Sequence, residues 1–398
     1  MYVSPRWKNF LLVAASLAAG LIMAEVLLRV ISVNPRKINH RDFYDEDPIL
    51  GWKKKSHAIR RIQTPEFTAL EQTNSRGLRG EEYHYEKAPE EFRILILGDS
   101  FAEGYTANFE QLFSELLRRS LNERRDGRVY QVINAGTVGY GTDQELLFFE
   151  IEGKKYSPDV VLLLFYENDV VENVSIGEMY GKHKKLFQIR DGQLFLKDEP
   201  TVFKDKAHNE GSVRTQVPKR SLLKQSALYN FAREHMARFG VLTEQDSSSD
   251  CDLRFFEVVS AQDSKEMNAA WKVTELILQR LRDSVATTGA HLVVFYIPSV
   301  YALDPLVWAA TAKKFGLVDK EWDLLKPEIR LKGVCERLRI PFESLADSFR
   351  QKARELGVPS SAFYHVGDGH WNVFGHRHVS EIMGKFLDTF PFSESLEP

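Results

Sequence analysis

Apolar residues fall along this chain in short runs of two kinds. Residues 93–97, 129–134, 159–165 and 291–297 are apolar at nearly every position, as in Asp159-Val160-Val161-Leu162-Leu163-Leu164-Phe165. Strands that are apolar on both faces belong in a parallel sheet covered by helices. Between them, apolar positions recur at helical spacing. Leu112, Phe113, Leu116 and Leu117 form one stripe, and Asn108 with Gln111 resembles a capping box before it. Ala270, Val273, Ile277 and Leu281 mark a helix over 264–288. Val379, Ile382, Met383, Phe386 and Leu387 mark a last one, capped by Asn372. Residues 144–152 and 320–337 also read as helical, the latter leading to Ile340-Pro341-Phe342. Strand and helix alternate, which predicts an α/β fold with a parallel central sheet.

Three stretches break this rhythm. Residues 10–31 are almost wholly apolar, and as one helix they would rise about 33 Å, enough to cross a bilayer core. Glu25 and Arg29 are spaced to pair on one face of that helix. A cleaved signal peptide, with Ala18-Ala19-Gly20 as its cleavage site, is the competing reading. Apolar residues resume straight after that site, which favours an uncleaved anchor. Residues 32–90 are polar and poorly periodic and read as a linker that becomes a flap; the acidic run Asp45-Glu46-Asp47 reads as solvated surface. Residues 170–260 read as an insertion. It opens with a hairpin in which Asp191-Gly192 joins 186–190 to 193–196. A polar stretch follows, then a helix over 222–239. The basic run Lys182-His183-Lys184-Lys185 reads as solvated surface. The expected organisation is a tail (1–9), an anchor (10–31), linker and flap (32–90), a main domain (91–390) carrying the insertion, and a tail (391–398).

A length of 398 residues permits a large core, and 43% hydrophobic with 27% charged residues is ordinary globular composition. The net charge of -3 gives no reason to expect nucleic acid. The two cysteines, Cys251 and Cys335, could pair in an oxidising compartment, but two thiols this far apart in sequence say little. Arg6 and Lys8 precede the apolar stretch while Arg36, Lys37 and Arg41 follow it, so flanking charge does not orient an anchor. The expected location is the membrane, with the main domain on the extracytoplasmic, periplasmic side.

Gly98-Asp99-Ser100 ends the first buried strand, in the first loop after a sheet strand, where ligand sites of open α/β sheets lie. A serine hydroxyl needs a base within hydrogen-bond reach to become a nucleophile. His370 in Asp368-Gly369-His370-Trp371-Asn372 is the candidate base, and Asp368 would orient its other ring nitrogen. Acyl transfer also needs donors where the oxyanion develops. The backbone N–H groups of Ser100 and Gly139 and the side-chain amide of Asn168, just past the third strand, are the candidates.

These blocks occur in order: Gly98-Asp99-Ser100, Asn134-Ala135-Gly136-Thr137-Val138-Gly139, Asn168-Asp169 and Asp368-Gly369-His370. Together they resemble the SGNH/GDSL hydrolase superfamily over roughly residues 93–172 and 290–390. The resemblance implies a three-layer α/β/α, flavodoxin-like fold and ester hydrolysis or acyl transfer with neither metal nor cofactor. It makes Ser100 the nucleophile, His370 the base, Asp368 its orienter, and Gly139 and Asn168 the rest of the oxyanion hole. Two departures stand out: Glu167 takes the place of the family's usual Gly, and a single residue separates Asp368 from His370. Glu167 could narrow the cleft or alter its charge. The shorter spacing and the stretch 74–80 are similar to membrane-tethered bacterial members, including alginate O-acetylation proteins. That similarity makes an acylated carbohydrate or small ester the expected substrate. Two other functions stay open: an anchored, non-catalytic protein holding a partner through 170–260, and a metal-dependent phosphoesterase using Asp99, Asp169, Asp368 and His370.

Overall fold

A computed structural model describes residues 43–175, 178–179, 182–197, 253–317 and 321–391, with isolated positions 9, 16, 19, 20 and 23. The chain divides into two compact units. The first, Met1–Lys37 with Phe203–Cys251, falls outside the described residues apart from those isolated positions. The expected anchor at 10–31 and helix at 222–239 therefore lie there. Among the described residues no helix is long and apolar enough to cross a membrane. Everything below concerns the second unit, Ile38–Val202 with Asp252–Pro398.

Residues read from the sequence as linker and flap form two hairpins, β1 (Tyr44–Asp47) with β2 (Gly51–Lys54) and β3 (Ile59–Gln63) with β4 (Thr68–Gln72). Only part of the acidic run meets solvent: Asp47 Oδ1 accepts the N–H groups of Ile49 and Leu50 at 3.0 and 2.9 Å and closes the first turn. Tyr44 and Trp52 are buried in the main core. Their weak alternation hid this from a periodicity reading, because three of the residues these hairpins bury are charged: Lys54, Arg60 and Glu71 are all under 5% exposed.

The central sheet is built from β5 (Glu91–Gly98), β6 (Val129–Asn134) and β7 (Val160–Tyr166). The short pairs β8 (Glu178–Met179) with β9 (Lys182–His183), and β10 (Phe187–Arg190) with β11 (Gln193–Leu196), lie apart from it. β12 (His291–Ile297) and β13 (Phe342–Ser344) complete the sheet in the order β13-β12-β7-β5-β6, all parallel. Alternate residues feed two cores. Leu95, Leu97, Leu163 and Tyr296 face one side, and Ile94, Ile96, Leu162 and Phe295 face the other.

The helices are α1 (Ser100–Glu103), α2 (Phe113–Glu123), α3 (Thr142–Ile151), α4 (Asp169–Glu172), α5 (Lys265–Ala286), α6 (Val300–Leu303), α7 (Pro305–Phe315), α8 (Lys326–Leu338), α9 (Leu345–Leu356) and α10 (Val373–Thr389). The face with Leu95 is covered by α3, α5 and α8, and the face with Ile94 by α2, α9 and α10. The result is three layers, α/β/α.

Two of the differences from the sequence reading have a local physical cause. The helix expected at 320–337 starts only at Lys326, because Pro327 suits the first turn and residues 321–323 instead pair with 259–261. The capping box at Asn108 opens a single 3-10 turn, not α2. Asn108 Oδ1 instead accepts the Leu70 N–H at 2.9 Å, tying β4 to this turn.

The basic run is not simply solvated either. Lys184 is buried, and its Nζ donates to both Asp143 carboxylate oxygens at 2.7 Å and to Glu172 O at 2.7 Å.

Candidate active site

Parallel register brings the C-terminal ends of β5, β6, β7 and β12 side by side: Ile96 faces Asn134, Gly98 faces Leu164, and Ile297 faces Tyr166. Loops leaving these ends share one edge, the usual ligand edge of an open α/β sheet. Ser100 leaves β5 there. Asp99 caps α1, its Oδ1 accepting the Phe101 N–H at 2.9 Å. Burial pushes the Asp99 carboxyl up to about 6, against the pull of His370.

His370 lies across the edge, 270 residues on. Ser100 Oγ and His370 Nε2 are 2.6 Å apart, and His370 Nδ1 is 2.9 Å from Asp368 Oδ1. Burial alone would raise the Asp368 carboxyl, but His370 and Tyr105 hold it below its ordinary value. An ionised carboxylate only accepts, so His370 Nδ1–H donates to Asp368. That tautomer leaves the Nε2 lone pair to accept the Ser100 hydroxyl proton. Both side chains are 21% exposed, within reach of a ligand.

A tight turn presents them. His365 N–H donates to His370 O at 2.8 Å, Asp368 N–H donates to His365 O at 3.1 Å, and Tyr364 bridges Trp371. Trp371 is fully buried against Phe101 and Phe113, and the Thr106 hydroxyl donates to its carbonyl at 2.7 Å. The residue after the base is thus a peg in the core. His376 and His378, a few residues further on, are buried on α10.

The Asn134–Gly139 stretch runs against α1. Asn134 Nδ2 donates to Ala102 O at 2.7 Å and its Oδ1 accepts the Gly136 N–H at 2.9 Å. A Cβ on Gly136 would collide with the backbone of Ala102 and Glu103, so only glycine fits. Gly139 has φ +75, a left-handed conformation that also favours glycine. Among the described residues nothing accepts the N–H groups of Ser100 and Gly139. Asn168 caps α4 without a side-chain cap bond, and its buried Oδ1 has no partner. All three positions are half-buried.

Glu167 does not charge the cleft. It is 2% exposed and its carboxylate accepts hydrogen bonds from Tyr296, at 2.9 Å, and from Tyr301. Burial raises its pKa, while the tyrosine hydroxyls oppose that rise.

The structure also adds residues that the motifs do not contain. The Tyr105 hydroxyl donates to Asp368, with its oxygen 2.9 and 3.0 Å from the two carboxylate oxygens and 3.0 Å from His370 Nδ1. Glu103, at the end of α1, is wholly buried. It accepts from Arg60 Nη2 at 2.8 Å, Tyr44 OH at 2.9 Å and Val138 N–H at 2.9 Å, with Lys54 Nζ at 3.7 Å. Burial would raise its pKa, but Lys54 and Arg60 hold it low. The one signal in the sequence was a carboxylate three residues past the serine, in a segment otherwise apolar.

Residues proposed for a metal centre, Asp99, Asp169, Asp368 and His370, form no ligand set. Among the described residues no group of three or more His, Cys, Asp or Glu side chains could hold a metal ion. Cys335 is free and buried, its thiol pushed up to about 12 by burial; Cys251 lies outside the described residues.

No family model matches this chain, and no curated protein matches it. Among solved structures, a two-domain esterase active on acetylated mannans is similar at 12% identity and TM-score 0.39, over 77% of this chain. The chain spans about half of that protein, 51%. An acetyl xylan esterase is similar at 12% identity and TM-score 0.39, over 75% of this chain and 100% of its own. A lipase/acylhydrolase from Enterococcus faecalis is similar at 11% identity and TM-score 0.38, over 74% of this chain and 95% of its own. Overlap this loose leaves the chemistry of the site to rest on the residues of this chain.

Proposed function

We propose that this protein is a serine ester hydrolase or O-acyltransferase of the SGNH type. The observation that carries the reading is the chain of contacts from Ser100 Oγ to His370 Nε2, 2.6 Å, and from His370 Nδ1 to Asp368, 2.9 Å. Ser100 Oγ attacks the acyl carbon while His370 Nε2 takes its proton. The carbonyl oxygen becomes an oxyanion that the N–H groups of Ser100 and Gly139 and the Asn168 amide stabilise. The C–O bond to the alcohol then breaks, and the alcohol leaves with the proton from His370. Water or a second hydroxyl, deprotonated by His370, releases the acyl group from Ser100. The absence of a formal charge among the three donors suits a neutral ester. The substrate in this proposal is an acylated carbohydrate or a small ester. Residues 10–31 would tether the domain to a membrane, on its extracytoplasmic side.

The test is covalent. The protein is treated with a fluorophosphonate and the adduct mapped by mass spectrometry, with His370→Ala as control. Labelling of Ser100 that vanishes in the control is the expected result. A folded sample that stays unlabelled would overturn the assignment.

A further inference from the structure

The three consecutive peptide units before Gly139 are clamped one after another. In the first, Lys54 Nζ donates to Gly136 O and the Thr137 N–H donates to Gly98 O at 3.0 Å. In the second, Thr137 O accepts the Tyr140 N–H at 3.1 Å and the Val138 N–H donates to Glu103 Oε2 at 2.9 Å. In the third, the indole Nε1–H of Trp52 donates to Val138 O at 2.9 Å. The other end of that third unit is the Gly139 N–H, which has no acceptor among the described residues. A trans peptide is planar, and its C=O and N–H point in opposite directions. Whatever fixes the carbonyl of Val138 therefore fixes the direction of the Gly139 N–H.

We propose that Trp52 is a positioning residue for the oxyanion hole, acting through the Val138–Gly139 peptide plane, with Lys54 and Glu103 holding the two planes before it. The inference rests on the serine mechanism above and extends it to a residue 48 positions before the nucleophile, in a hairpin outside the central sheet. The arrangement has the marks of a rigid support. Trp52 is 1% exposed, Tyr140 stacks edge-on against it at 5.8 Å, and the Tyr140 hydroxyl donates to Trp52 O at 2.5 Å. Glycine at 139, with φ +75, leaves the plane free to turn unless something outside the loop holds it. Removing the indole N–H frees the plane and misaims the donor. The cost then falls on the developing oxyanion and not on ground-state binding.

The experiment compares full-length wild type with Trp52→Phe. It also uses a protein carrying β-(3-benzothienyl)alanine at position 52, which keeps the indole shape without its N–H. Each hydrolyses an ester and the matching thionoester, whose sulfur is the weaker hydrogen-bond acceptor. Phe149→Leu, a packing loss in the same core, serves as control. Both position-52 proteins should lose between about 10- and 100-fold in kcat on the ester with KM little changed. The ester-to-thionoester rate ratio should fall about tenfold in both and hold in the control. A ratio unmoved in the benzothienyl protein, or one that falls equally in Phe149→Leu, would overturn the inference. Ester turnover that survives Ser100→Ala would instead overturn the mechanism beneath it.

Discussion

The two loops that close on Ser100 are held by opposite means. In the proposed site the loop at 364–371 offers side chains, and it bonds largely within itself through His365, Asp368 and His370, with Tyr105, Thr106 and the packing of Trp371 against Phe101 and Phe113 holding it from the α1 side. The loop at 134–140 offers backbone and borrows its support from far away, from Trp52, Lys54 and Glu103. One is held by neutral partners and packing. The other is held by a buried charge network, in which each charge leans on the next. A local device tolerates change in its surroundings, whereas a borrowed one fails when any lender is removed.

Mutation should expose that asymmetry. The largest effect is expected at the chemistry itself: Ser100→Ala and His370→Ala should each lower kcat/KM by at least about 10³-fold on an aryl acetate. Both should leave the circular dichroism spectrum unchanged, since neither side chain carries the core. Next comes Lys54→Met, which removes a cation that is 4% exposed and leaves Glu103 short of its counter-charge. Breaking a buried pair from one side costs about 3 to 5 kcal/mol, so urea unfolding should move by that order. If stability holds instead, the network is not what secures the 134–140 loop.

A pH experiment probes the base side. Burial holds the His376 imidazole neutral, its pKa pushed down to about 3. The unfolded chain binds that proton near 6.5, so His376 contributes full stability above that value. The contribution falls away as pH drops from 6.5 towards 3. Between pH 6.5 and 5 the loss should be about 2 kcal/mol, and His376→Phe should flatten the dependence of Tm over that range. A slope unchanged in the variant would place the acid sensitivity elsewhere. The smallest effect is expected of Tyr105→Phe. Asp368 keeps His370 but loses one donor, so kcat should fall by about tenfold with under ~1.5 kcal/mol of stability lost. A larger loss would make the base side as dependent on its neighbours as the other loop.

The same contrast explains what was legible in the sequence. Strands apolar on both faces announced themselves, and 129–134 and 291–297 are β6 and β12 to the residue. Asn372 caps α10 through its side-chain oxygen, as the sequence predicts, and Ser264 caps α5 in the same way. Helix α9 carries the same signals, Ser344 as its cap and Gly357 after its end, yet the sequence reading above assigns no helix there. The blocks around Ser100 and His370 were legible because their geometry is short-range once the strands are placed. Arg60, Glu71 and Glu103 were not, since charged residues read as surface until a partner is known, and Arg60 meets Glu71 at 2.6 Å only once β3 pairs with β4. Lys184 misled for the same reason: within a run of basic residues, nothing marks the one that will find Asp143. Glu167 looked like a charge in the cleft because its tyrosine partners come from β12 and α6.

The hairpins at 44–72 add no strand to the central sheet, and a boundary drawn around that sheet would begin at Glu91. A chain starting there would keep all five strands, the serine and the histidine. It would also lose Lys54, Arg60 and the Trp52 indole together, leaving Glu103 stranded in the core and the Gly139 peptide free to turn. That boundary would also cut the core, which holds Tyr44, Trp52 and Leu78, so in the proposed reading the chemistry of this molecule begins well before its sheet does.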